Sequence, residues 1–160
     1  MNRQELIDRY KAGGAEVRQA VTEAQAAGTL DQRPAPGEWT AREVVHHLAD
    51  SELTSAVRLR RVLAEDDPAI AGYDENEFAR RLHYDRPVDA SLDAMDAARR
   101  SSIELVESLE AGEWARTGTH SESGEYSVGH WLSVYAEHPY DHAAQIRAAA
   151  APSHHSSGSA

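Results

Sequence analysis

The stretch from Trp131 to Ile146 constrains this chain more than any other. Trp131, Tyr135, His138, His142 and Ile146 follow one another at intervals of 4, 3, 4 and 4 residues. On an α-helix these positions share one side. An aromatic and aliphatic stripe is expected to turn inward, and this one carries two imidazoles with it. An imidazole on such a face needs a partner. A divalent metal meets that need; so do hydrogen bonds to backbone or carboxylate groups. The spacing alone leaves both open.

The rest of the chain reads as further helices. Leu6, Tyr10, Val17, Val21 and Ala24 mark the inner face of a first helix, with Asn2 and Glu5 as a capping pair and Gly28 as a stop. Gly13 and Gly14 interrupt it and mark either a close helix contact or a break. After the proline- and glycine-containing loop GTLDQRPAPGEW, Thr40 and Glu43 form a capping box for a second helix reaching about Ala64. Val45, Leu48, Glu52, Ala56, Leu59 and Leu63 lie along one of its sides. A long loop follows, with a short helix expected over Glu75 to Leu82. A third long helix is expected from near Ser91 to before Gly112, packed through Leu92, Met95, Ala98, Leu105 and Leu109. TGTHSESGEYS reads as a turn-rich loop, and Ser127 as the cap of the last helix, Val128 to about Ala149. No strand pattern competes. The expected fold is all-α, a four-helix bundle with a short extra helix in its long crossover loop. Residues 1–150 are expected to form one domain, and 151–160, APSHHSSGSA, a disordered tail.

Composition narrows the chemistry. A net charge of −11 argues against nucleic acid or an anionic membrane as the main partner. The chain has no cysteine, so a metal must be held by histidine and carboxylate. The polar start MNRQELIDRYKAGG is not a signal peptide, and no apolar run approaches spanning length; a cytoplasmic protein is expected.

Catalytic metal sites often use three protein ligands and leave a position for water or substrate. With His138 and His142 as two, a third is expected from another helix, and VVHHLADSE offers His46 and His47. They flank the apolar stripe of the second helix on opposite sides, and helical geometry hardly separates them. His47 lies slightly nearer the stripe's centre.

The segments GEWTAREVVHHLADSE, PAIAGYDENEF and HPYDHAAQI, in this order, resemble the DinB/YfiT-like superfamily across residues 34 to 147. The resemblance implies an up-down-down-up four-helix bundle and one divalent ion, nickel or zinc, held by three histidines. Carried over to this chain, those ligands fall on His47, His138 and His142. YDE after the second helix and HSESGE before the last resemble the YfiT-like branch. Its members are described as metal-dependent hydrolases or as S-transferases using the low-molecular-weight thiol bacillithiol. A homodimer is implied as well, with a small electrophile as the other substrate of a transferase.

Pro139 stands between the two histidines, removes a backbone donor and is expected to kink the last helix there. Asp141 and Glu52 are therefore kept as substitute ligands or as groups supporting one. His120, in the loop before the last helix, is the candidate catalytic residue. Tyr73, Arg80 and Arg81 could assist, the arginines by holding substrate carboxylates. Asp50 could accept a hydrogen bond from a ligand imidazole. Trp39, Trp114 and Trp131 read as packing residues, and His154 and His155 as too loosely tethered for a catalytic site.

Overall fold

The computed structural model describes residues 1–150, and its first two helices begin where the capping residues place them. In α1 (Arg3–Ala26) the Asn2 side chain accepts from the Glu5 N–H while Glu5 accepts from the Asn2 N–H. Thr40 and Glu43 repeat that reciprocal pair at α2 (Ala41–Ala64), satisfying two otherwise orphaned donors each time. Asp74 caps the short α3 (Glu75–Arg81). The next helix, α4 (Asp89–Ser108), begins two residues before the expected Ser91 and has no side-chain cap. At α5 (Val128–Ala150) the Ser127 hydroxyl accepts from the His130 N–H at 3.1 Å. This helix runs on without interruption through Pro139.

Cross-helix contacts give the directions. Arg9 pairs with Glu137 and Glu16 with Arg147, so α1 and α5 run parallel. His46 meets Ser91, Glu52 meets Arg99 and Arg60 meets Ser101, so α2 and α4 run parallel too. Lys11 with Glu107 and Arg18 with Asp96 make α1 and α4 antiparallel. His47 against His142 and Trp131 donating to the Ser55 carbonyl do the same for α2 and α5. The bundle is up-down-down-up, as the resemblance implies. No helix among the described residues is long and apolar enough to cross a membrane.

Strands are the correction. The segment read as a turn-rich loop forms a hairpin, β2 (Thr117–His120) with β3 (Gly124–Ser127), and β1 (Ala69–Ile70) adds to β2 in parallel. Gly118 lets this happen: a Cβ there would lie 2.6 Å from the Pro68 carbonyl oxygen. The small sheet joins the long α2–α4 connection to the segment before α5, and β3 feeds directly into that helix.

Two apolar clusters fill the bundle. One gathers Val17, Val21, Val44, Leu48, Met95 and Ile146; the other Tyr10, Leu59, Ile103, Val106, Trp131 and Leu132. Between them each of the four long helices turns to small or polar residues. The level holds Gly13 and Gly14 on α1, Ser51, Glu52 and Ser55 on α2, Arg99 and Ser102 on α4, and His138, Pro139 and His142 on α5. This polar waist is the setting of the site. The tail expected to be disordered lies outside the described residues.

Candidate metal centre

Three imidazoles meet where the waist borders the first apolar cluster. His47 projects from α2 and is 1% exposed; His138 and His142 project from successive turns of α5. Ring centroids lie 4.4 Å apart for His138 and His142, 4.8 Å for His47 and His142, and 5.5 Å for His47 and His138. One ring nitrogen from each lies within 4.8 Å of the others, with no carboxylate in the cluster. The Nε2 atoms of His138 and His142 are 3.1 Å apart. Nitrogens bonded to one ion at about 2.0–2.1 Å come about that close.

The donor set suits a divalent ion in its protonation as well. Burial, and then the neighbouring His142, holds His47 down at about 4. Burial, with His142, His47 and Arg99 adding to it, holds His138 at about 3. Burial lowers His142 too, against the opposing pull of Gln145. All three shifts favour the neutral ring, the form that ligates. Nδ1 of His47 and Nδ1 of His138 are buried without a hydrogen-bond partner, so their surroundings do not satisfy these rings as ordinary core histidines.

Gln145, one turn beyond His142, accepts from its Nδ1 at 2.7 Å. The proton is thereby fixed on Nδ1 and the lone pair on Nε2, which faces His138. Trp39, at the approach to α2, packs its ring 5.0 Å from that of His47.

His46 is not in the cluster. Its Nε2 donates to the Arg86 carbonyl at 2.9 Å and its Nδ1 meets the Ser91 hydroxyl at 2.8 Å, so both nitrogens are used. The two carboxylates held in reserve also stand apart: Glu52 is buried against Arg99, and Asp141 is exposed. Asp50 accepts from the Tyr84 hydroxyl at 2.7 Å and not from a cluster imidazole. His120 lies outside the cluster on β2, stacked on Tyr126 with Nδ1 accepting from the Glu122 N–H at 3.2 Å. Arg80 and Arg81 both pair with Glu77. Tyr73 has a buried hydroxyl beside Ser51, its ring 4.5 Å from Phe78, and burial pushes it up to about 12. Of the tryptophans, Trp131 is fully buried with Nε1 donating to the Ser55 carbonyl at 3.0 Å, and Trp114 lies under the Arg3 guanidinium. Gln145 enters the sequence reading only as part of HPYDHAAQI, without a role, and Arg99 is not singled out there.

The DinB superfamily model matches residues 9–146. The chain belongs to that superfamily. A putative metal-dependent hydrolase of Oceanobacillus iheyensis is 38% identical over 117 residues, 73% of this chain and 68% of that protein. A second putative metal-dependent hydrolase, from Bacillus mycoides, is 35% identical over 128 residues, 77% of this chain and 74% of its own length. Among solved structures, YfiT from Bacillus subtilis superimposes with a TM-score of 0.84 at 27% identity, covering 93% of this chain and 87% of its own. That protein is described as a probable metal-dependent hydrolase with an unusual four-helix bundle topology.

Proposed function

We propose that His47, His138 and His142 hold one divalent ion, zinc or nickel, and that this DinB-superfamily bundle is a metal-dependent enzyme acting on small molecules. The observation that carries the reading is the convergence of three imidazoles, His47 buried and His138 and His142 half-buried, two of them with nitrogens 3.1 Å apart. An ion held by three uncharged ligands keeps its charge and, at a remaining position, lowers the pKa of a water or a thiol. The chain's own contribution is to hold the ligands. Gln145 fixes the His142 tautomer. Hydrolysis with water as nucleophile is supported by the names of the relatives. S-transfer to a small electrophile would use the same ligands with a low-molecular-weight thiol, which a chain without cysteine must take from solution. A homodimer is the proposed assembly, tested by light scattering.

Elemental analysis of purified protein should find about one ion per chain, lost in each of His47→Ala, His138→Ala and His142→Ala. Full retention in any two of these variants would sink the three-histidine site. Loaded and stripped protein are then assayed against ester and amide panels and for thiol conjugation to monochlorobimane. Metal-dependent turnover in either arm assigns the nucleophile. No turnover in both overturns the enzymatic reading in favour of metal binding alone.

A further inference from the structure

Arg99 is a cation only 4% exposed, and one of its contacts reaches the turn that carries His138. Its Nη1 donates to the Glu52 carboxylate and, at 3.2 Å, to the Tyr135 carbonyl. Nη2 donates to the Tyr10 carbonyl, and the guanidinium lies over the Tyr10 ring, 3.8 Å from its centroid. In an α-helix the Tyr135 carbonyl would accept from the N–H of residue 139. Pro139 has none to give. Arg99, reaching in from α4, supplies the missing donor.

The neighbours make room for this and hold it in place. A Cβ on Gly13 would lie 2.4 Å from Pro139 Cγ and 3.0 Å from Arg99 Nη2, so a glycine in mid-helix admits both groups against α1. Glu52 opposes the guanidinium charge and also receives hydrogen bonds from Tyr10 and, at 3.4 Å, from the Ser55 hydroxyl. A buried ion pair is a weak source of stability, since apolar replacements often serve as well. A buried carbonyl without a donor does carry a penalty, and an unpaired turn is free to open.

We propose that Arg99 is a positioning residue for the metal centre: it replaces the hydrogen bond that Pro139 deletes and so fixes the backbone turn that aims His138. Glu52 holds Arg99 in place and Gly13 gives it space. The inference rests on the three-histidine metal site proposed above.

The test is a double-mutant cycle between Arg99 and Pro139. Arg99→Lys keeps a charge opposite Glu52 but loses the planar fork that reaches two carbonyls. Pro139→Ala restores an N–H to pair Tyr135. Zinc affinity is measured by competition with a chromophoric chelator, ligand geometry by the visible spectrum of the cobalt form, and fold by circular dichroism. Against Pro139, Arg99→Lys should weaken zinc binding about tenfold or more and change the cobalt spectrum. In the Pro139→Ala background the same substitution should cost less than about threefold, because the two sites are coupled. Equal losses in both backgrounds, or none against Pro139, would overturn the proposal. If Arg99→Lys does not fold, Gly13→Ala takes its place in the cycle. It pushes on the proline ring, and Pro139→Ala should relieve the resulting loss of affinity; unrelieved loss, or no loss, overturns the proposal. Wild-type protein that binds no zinc would instead remove the three-histidine site itself.

Discussion

Gln145 shows how one uncharged side chain sets the chemistry of a ligand. Its carbonyl oxygen accepts from His142 Nδ1 at 2.7 Å, which leaves the lone pair on Nε2. Gln145→Leu should let the ring turn and change tautomer, weakening metal affinity about 10- to 100-fold. Gln145→Glu keeps an acceptor there and should retain most of the affinity. Competition titration of the three proteins checks both outcomes; equal affinities would mean that packing alone orients the ring. The contrast between His46 and His47 is decided at this same scale. Both are buried on α2, and the helical wheel barely separates them. What separates them is the set of partners: Ser91 and the Arg86 carbonyl use up His46, while His47 Nδ1 has none. Those partners lie 40 and 45 residues away in the chain, so local sequence could not show them.

The helices were legible as elements because their signals are local. Asn2 with Glu5 and Thr40 with Glu43 each act within one turn, and the apolar period carries on from there. The strands were not. TGTH and GEYS show little of the apolar alternation that marks a strand, and β1 is two residues long. Their pairing is a nonlocal arrangement, made possible by the space over Gly118. Gly118→Ala would set a methyl group 2.6 Å from the Pro68 carbonyl oxygen and 2.9 Å from its ring. The β1–β2 edge would have to shift, at a loss of about 1–3 kcal/mol. Urea unfolding should record that loss; an unchanged midpoint would show that the sheet contributes little to holding the bundle. α4 makes the same point in a helix. Its buried face runs through Leu92, Met95, Arg99, Ser102 and Val106, and an apolar pattern passes over an arginine and a serine.

On the scale of the molecule, the polar waist divides the apolar interior into two clusters. Arg99 reaches groups on α1, α2 and α5 from α4, and so ties the four long helices together with hydrogen bonds. A metal at the three histidines would add a second tie at the same level, joining α2 to α5. In the unfolded chain His47 and His138 are 91 residues apart in sequence, so the site exists only in the folded state, and binding must stabilise the fold by mass action. At free zinc about 100 times the dissociation constant, the gain is about 2.7 kcal/mol. For a chain of this length that corresponds to a rise of about 5–11 °C in Tm. Stripped protein should therefore melt lower than loaded protein, by a gap that widens with the logarithm of free zinc. His47→Ala leaves α5 with both of its histidines but cuts the link to α2, and should remove most of the shift. Thermal melts of the two proteins across a zinc series test this. An equal shift in His47→Ala would place the stabilising ion somewhere other than between α2 and α5.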